Sequence, residues 1–412
     1  MAHVLIIGKS FSGLKNFLVQ HGHTYTILQD ELATKFPEKK FKHRVVCSFR
    51  DESSYLAAAH KVHDHHPVDA VITIYENYIV AGAVVATALG LPGLTKEAAL
   101  ACTDKEIMRG KFALSTEKVS PDFQVVDSRE SLTDFATSHT FPLILKPANL
   151  AKSLLVTKND SLDELLANYD KALNLTATTY KKYAPNSTPK FIVEEFLEGS
   201  IHSVDAFVDA HGEPHVLEQV VDYQTGHDIG FDDNFHYSRL LPSQLSDADV
   251  AAIRHTAKLG CKLLGMTSSP AHVEIILTRD GPRIVEIGAR NGGYRERMHR
   301  LANDIDITKN ALALALNKPL AITAKKNASV GVFELFPKVP GAFAGISHQA
   351  ELEQLASLDY LSIKARPGHF VGKSSDGHKM TAIVILHNDD ADQFAQDMQY
   401  MNQFCAVQTT TL

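Results

Sequence analysis

Several large classes of protein leave marks that this chain lacks. Its 412 residues include only four cysteines, Cys47, Cys102, Cys261 and Cys405, far apart and without a C-x-x-C pair. That is the pattern of reduced, mostly buried thiols in a cytoplasmic protein, not of a disulfide scaffold. No apolar run approaches the ~18–20 residues of a membrane span, and the opening MAHVLIIGK reads as a strand rather than a signal peptide. Basic excess is missing too. Forty-one lysines and arginines against 48 acids give a formal charge of −7, which offers no footing for nucleic acid or an anionic membrane. Internal repeats and low-complexity tracts are absent.

Two nucleotide-binding signatures are also missing. In Gly8-Lys9-Ser10-Phe11-Ser12-Gly13 the lysine follows the first glycine and Leu14 follows the second, so the segment is not a P-loop. It is not G-x-G-x-x-G either, which counts against a dinucleotide-dependent oxidoreductase. His60, His63, His65 and His66 crowd the polar end of a helix before Pro67. With no cysteine among them they read as exposed histidines rather than a metal cluster.

What is present suits a globular α/β protein of two to four domains, with 44% apolar and 22% charged residues. Over the first ~110 residues strand and helix alternate: a strand at 3–7, a helix at 14–21, strands at 24–28 and 68–74, then Glu76 and a further helix. Alternation of this kind favours an open parallel sheet. A helix opens at Thr103-Asp104-Lys105, FPLILK (141–146) is a buried strand ending in Lys146, and KFIVEEFL (190–197) is another. A strand follows at 203–208. Residues 222–241, polar and histidine-rich, read as a functional lid or a disordered segment. The clearest helix is 246–264, with Ser246 and Asp249 spaced to cap it. Residues 301–316 read as one helix. VGVFELFP, TAIVILHN and a helix at 389–401 form a small α+β cap.

The most informative stretch is HVEIILTRDGPRIVEIGARNGG, residues 272–293. It reads as a hairpin with Arg279-Asp280-Gly281 as a three-residue loop. In that register Thr278 pairs with Pro282 and Glu274 lies opposite Glu286. Directly opposed like charges are destabilising, and a hard divalent cation held by both carboxylates would offset the repulsion. Beyond the second strand, Arg290 and Gly292-Gly293 offer a cation and bare amides to an anion.

His272-x-Glu274, a hairpin, then Glu286-Ile-Gly-Ala-Arg290-x-Gly292-Gly293 resembles the metal-binding end of the ATP-grasp ligases. Within them it is most similar to the bacilysin-synthetase type of L-amino-acid ligase, which makes dipeptides. The resemblance implies an ATP-grasp fold divided as 1–110 (N-terminal α/β), 111–195 (central lobe), 196–323 (C-terminal lobe with the hairpin) and 324–412 (cap). It further implies that Glu274 and Glu286 hold Mg²⁺ or Mn²⁺. Lys105, Lys146 and Ser153 would contact the phosphates of ATP, and Glu194, Glu195, Phe196 and Leu197 the adenine edge. Arg290 would be the catalytic oxyanion donor, with His272, Gly292 and Gly293 near the substrates. Those substrates would be a small carboxylate and an amine, most simply amino acids, joined through an acyl phosphate. A homodimer is common among cytoplasmic enzymes of this size. Four positions depart from the pattern. Gly288 replaces a frequent asparagine, as in the dipeptide-forming branch, but Asn291 stands where that branch has an aliphatic residue. The 148–153 loop has no glycine, and Ile201 occupies the place of a ribose-binding glutamate. A ligase acting on a non-amino-acid carboxylate shares every motif named, and a non-catalytic nucleotide-binding protein remains an alternative.

Overall fold

Val4, Leu5, Ile6 and Ile7 are all fully buried, so their strand needs a cover on both faces. The computed structural model describes residues 1–10, 12–33, 43–150, 154–184, 187–231, 233 and 235–411. In it His3–Gly8 is an inner strand of a parallel sheet ordered Arg44–Cys47, Thr24–Asp30, His3–Gly8, Ala70–Thr73. Leu5 and Ile7 pack with Tyr55, Ala59 and Val85 on one side. Val4 and Ile6 pack with Leu14, Leu18, Leu312 and Ala315 on the other. The last two belong to the helix Ile307–Ala315, so the N-terminal sheet is docked on a helix from far along the chain.

The central lobe is an antiparallel sheet ordered Phe123–Val126, Phe191–Glu195, Leu143–Pro147, Thr157–Asn159. Leu132, Phe135, Leu165 and Tyr169 of the helices Arg129–Ser138 and Leu162–Tyr183 close its core.

A nine-stranded antiparallel sheet carries the rest. Its path runs Gly281–Gly288, Ser269–Thr278, Gly199–Val208, Val221–Thr225, His236–Leu241, Ser329–Leu335, Ala382–Asn388 and Leu358–Ile363, and the ninth strand, Pro214–Val216, pairs with Gly199–Val208 off this path. Three readings of the sequence change here. Half of 222–241 belongs to the sheet, in the paired strands Val221–Thr225 and His236–Leu241. Those strands are polar because they bond one another through side chains, as Ser238 does to Gln224 at 2.7 Å, and a polar strand reads as loop. Of the strands read as a cap, Ser329–Leu335 pairs with His236–Leu241 and Ala382–Asn388 pairs in turn with Ser329–Leu335, so the sheet runs unbroken across the 323/324 boundary. Beside it stand a small sheet of Phe370–Val371, Gly341–Ile346 and Val407–Thr410 and the helix Ala391–Phe404. Residues 301–316 are two helices, Arg295–Asn303 and Ile307–Ala315. Asp304 breaks them at φ +56, and Asp306 caps the second by accepting the Lys309 amide.

The helix Asp247–Leu263 follows its cap signal, with the Ser246 hydroxyl accepting the Asp249 amide at 3.2 Å. Ile253, Ala257 and Cys261 recur every fourth residue and are fully buried. Gly260 lets the helix press on the hairpin, since a Cβ there would fall 2.4 Å from Ile284.

Candidate active site

The hairpin strands Ser269–Thr278 and Gly281–Gly288 do place Glu274 opposite Glu286. The route differs from the one the sequence suggests. The tip has two residues, so Thr278 pairs with Gly281 and Pro282 with Leu277. A bulge then leaves Val285 without an opposite residue and restores the offset before the carboxylates are reached. Gly281 takes the left-handed backbone the turn needs, at φ +100. The bulge is secured from outside the hairpin: the Val285 carbonyl accepts from the Arg109 guanidinium at 2.8 Å.

The opposed carboxylates are already offset by protein cations. Lys105 lies 2.9 Å from Glu286 and also donates to the Leu150 carbonyl at 3.2 Å. His272 Nε2 lies 3.6 Å from Glu274. The repulsion between the two carboxylates therefore does not need a divalent cation to offset it. Lys105, above all, holds the Glu286 carboxyl below its usual range. Burial pushes Glu274 up, but the His272 hydrogen bond and the charges of His236, His272 and Arg290 outweigh it, so that carboxyl is also held down.

Behind Lys105 lies a second, drier group. Arg109, one turn along the helix Lys105–Phe112, donates to Glu194 at 2.8 Å, and Lys146 donates to the other Glu194 oxygen at 2.6 Å. Glu194 is 3% exposed. Both its oxygens are engaged by these two cations. Burial brings the Lys146 ammonium down to about 8, with Glu194 opposing the shift and Arg109 and Lys105 adding to it.

Arg290 reaches across to the N-terminal unit. Its Nε lies 2.7 Å from Glu76, just beyond the strand Ala70–Thr73. Burial pushes the Glu76 carboxyl up, and Arg290 pulls against it. On the other flank, Asp205 accepts from His272 at 2.8 Å and His299 at 3.2 Å and forms an ion pair with Arg295 at 3.4 Å. Arg295 also donates to Ser203 and Tyr223 at 2.8 and 2.6 Å. This buried set fixes the His272 ring beside Glu274. Gly292 is required by it, because a Cβ would fall 2.4 Å from His272 Nδ1; at Gly293 the space is open. His236, its ring 4.4 Å from Tyr223, has its imidazole pKa pushed down chiefly by burial, against the opposing pull of Glu274.

The hinge residues lie apart from this charge cluster. The Glu195 amide is already bonded to the Asp122 carbonyl at 3.1 Å, and its carboxylate pairs with Lys118 at 2.9 Å. Phe196 packs under the Lys158 ammonium, 4.7 Å from its ring centre, and Leu197 is half-buried. Ile201 lies within the strand Gly199–Val208 and, two residues from Ser203, shares the face of Glu274. Ser153 falls outside the described residues. Two cavities adjoin the site. One, of about 410 Å³, has Glu76, Lys105 and Glu286 in its wall; the other, of about 420 Å³, is lined by Ile72, Ala289, Asn291 and Gly292 among others.

Glu76, Arg109, Asp205 and His236 have no assigned role in the sequence reading. Two carried a signal: Glu76 follows a parallel strand's carboxyl end, where α/β sheets place ligands, and Arg109 sits four residues after Lys105. Asp205 and His236 had none short of the fold.

With the geometry in place, the comparisons bear on it. Residues 139–296 match the family model for the ATP-grasp domain, and residues 13–93 that for the ATP-grasp N-terminal domain. The chain belongs to the ATP-grasp superfamily. Within it, the chain is similar to the alanine–anticapsin ligases of Bacillus amyloliquefaciens and Bacillus subtilis (strain 168), at 28% identity over 246 and 253 residues. Each match covers 57% of this chain and 51% of the relative, so the chain spans about half the length of these curated relatives. Among solved structures, the L-amino acid ligase from Bacillus licheniformis matches with a TM-score of 0.78 and 19% identity, covering 100% of this chain and 99% of that one. Phosphoribosylglycinamide synthetase from Anaerococcus prevotii matches at 0.69 and 17%, covering 99% and 100%. These likenesses show the fold.

Proposed function

We propose that the protein is an ATP-dependent carboxylate–amine ligase that joins two amino acids into a dipeptide. The carrying observation is the opposed pair Glu274 and Glu286 with Lys105 at 2.9 Å and the Arg290–Glu76 pair beside it. Among the described residues no three His, Cys, Asp or Glu side chains converge as a metal cage. Two carboxylates still fit a hard cation that takes its remaining ligands from phosphate and water. Mg²⁺ or Mn²⁺ held by Glu274 and Glu286 would supply charge neutralisation on the phosphates.

Lys105 and Lys146 hold the phosphate charge of ATP. The substrate carboxylate attacks the γ-phosphorus, the bond to the ADP oxygen breaks, and an acyl phosphate forms. An amine then attacks the acyl carbon; the carbon–nitrogen bond forms, phosphate leaves with its bonding pair, and nitrogen gives up a proton. His236, whose pKa burial lowers and whose imidazole feels the charges of Glu274 and Glu286, is a group that can take it. Arg290 donates to the oxygen that gains charge in that step. A ligase for a non-amino-acid carboxylate would use the same groups.

The test is mass spectrometry of products after incubation with ATP, Mg²⁺ and a mixture of the common amino acids, with hydroxylamine added in a parallel sample. Dipeptide, ADP, phosphate and a trapped hydroxamate are expected. AMP and pyrophosphate would mean adenylation and overturn the reading.

A further inference from the structure

The two cavities divide along the chain at the Arg290–Glu76 pair. Residues 75–78 and 286–288 line the cavity that holds Lys105, whereas residues 71–74, 289 and 291–294 line the other. We propose that this second cavity, of about 420 Å³, is the site of the amine partner, and that the partner carries a bulky apolar side chain. The proposal rests on the ligase reading and assigns its two substrates to two places.

The acyl donor has to meet the transferred phosphoryl group, so it belongs with Lys105 and Glu286. Ala289 and Asn291, on either side of Arg290, both line the other cavity. Its wall is largely apolar, with Ile72, Ile74, Ile79, Ala83, Leu94 and Ala311 contributing. Its charged residues, Glu296, Arg297 and Arg300, come from the single helix Arg295–Asn303. Its volume suits a ligand larger than a glycine or alanine side chain.

The second observation is Asn291. Its side-chain oxygen is buried and has no hydrogen-bond partner, a rare condition that invites a donor. It lines this cavity and neighbours Arg290 in the chain. Turned toward the cavity, that oxygen would accept from an amine nitrogen arriving to attack the acyl carbon. Asn291 is also the position at which the chain departs from the aliphatic residue of the dipeptide-forming pattern.

Amino-acid amides test the assignment, because without a carboxylate they can only accept. With the donor identified by the product screen held saturating, kcat/KM should rise about 10–100-fold from glycinamide to phenylalaninamide, the worth of burying one large apolar side chain. Ala311→Leu should erase that gain, and Asn291→Leu should raise the KM for every amide at least ~10-fold. Neither should move the KM of the donor. Equal use of all amides, or variants that alter the donor's KM instead, would overturn the proposal. If no donor gives product, the ligase reading fails and the cavity is judged by melting. A rise of about 2 °C with phenylalaninamide, lost in Ala311→Leu, would support it, and no rise would overturn it.

Discussion

At the hairpin end of the site Glu274 is met by His272 on its own strand, but the other charged groups are caught by partners from distant parts of the chain. Lys105 meets Glu286, Arg109 meets both Glu194 and the Val285 carbonyl, and Arg290 meets Glu76, 214 residues away in sequence. At the hinge end the charged contacts are part-exposed, Glu195 to Lys118 and Lys158 over Phe196, and Ile201 puts an apolar side chain on the sheet face that carries Glu274. Transfer chemistry depends on side-chain charge held in register, so one end tolerates little change. Holding a purine depends on backbone groups and shape, which many side chains can frame.

That contrast can be broken at the hairpin end first. Arg290→Lys keeps the charge but loses the planar fork. We expect kcat to fall ~10²–10³-fold, the range for one oxyanion donor, with little change in apparent ATP affinity. Intact kcat with much weaker ATP binding, measured by steady-state kinetics and calorimetry, would move Arg290 to the nucleotide. Glu286→Gln comes next. Turnover should fall at least ~10²-fold, as loss of a metal ligand requires. Because Lys105 loses its carboxylate, melting should show destabilisation of about 1–3 kcal/mol rather than relief of repulsion. An unchanged or raised melting temperature would show that Lys105 is not tied to Glu286.

Lys146 sharpens the comparison through pH. Its ammonium, brought down to about 8 by burial, binds phosphate only when protonated. Bound phosphate raises its pKa, so ATP affinity should weaken as pH rises through about 8, approaching tenfold per unit above it. Calorimetry from pH 7 to 9.5 reads this directly. Lys146→Arg, always charged, should flatten the profile; a flat profile in the parent protein would remove Lys146 from the phosphates. The smallest effect belongs to the hinge. Ile201→Glu should raise the preference for ATP over its 2′-deoxy form by about 2–10-fold, one hydroxyl hydrogen bond. A change in turnover larger than this would mean that the two ends are coupled.

Much of this was legible where a local rule dominates. Ser246 announces its helix because a cap is a matter of three residues, and Val4–Ile7 announces a strand buried on both faces. The opposed glutamates were legible too, through two compensating departures. A tip one residue shorter than read is made good by the Val285 bulge, which only Arg109, 176 positions away, explains. The strands at 221–225 and 236–241 were hidden because their polar side chains pair within the sheet. Glu76, Asp205 and His236 become site residues only when the N-terminal sheet, the hairpin and the strand Gly199–Val208 are brought together, and no spacing in the chain encodes that meeting.

The bulge also separates the hairpin into two mechanically independent parts. Ten residues of Ser269–Thr278 are paired with Gly199–Val208, and Arg109 clamps Val285, so the carboxylates take their positions from the interior and not from the turn. The tip residues Arg279 and Asp280 are almost wholly in solvent, with side chains 93% and 72% exposed. A reporter peptide or a tether grafted between them would ride on the molecule without shifting Glu274 or Glu286, which makes the tip a handle for immobilising or labelling the protein while its site stays intact.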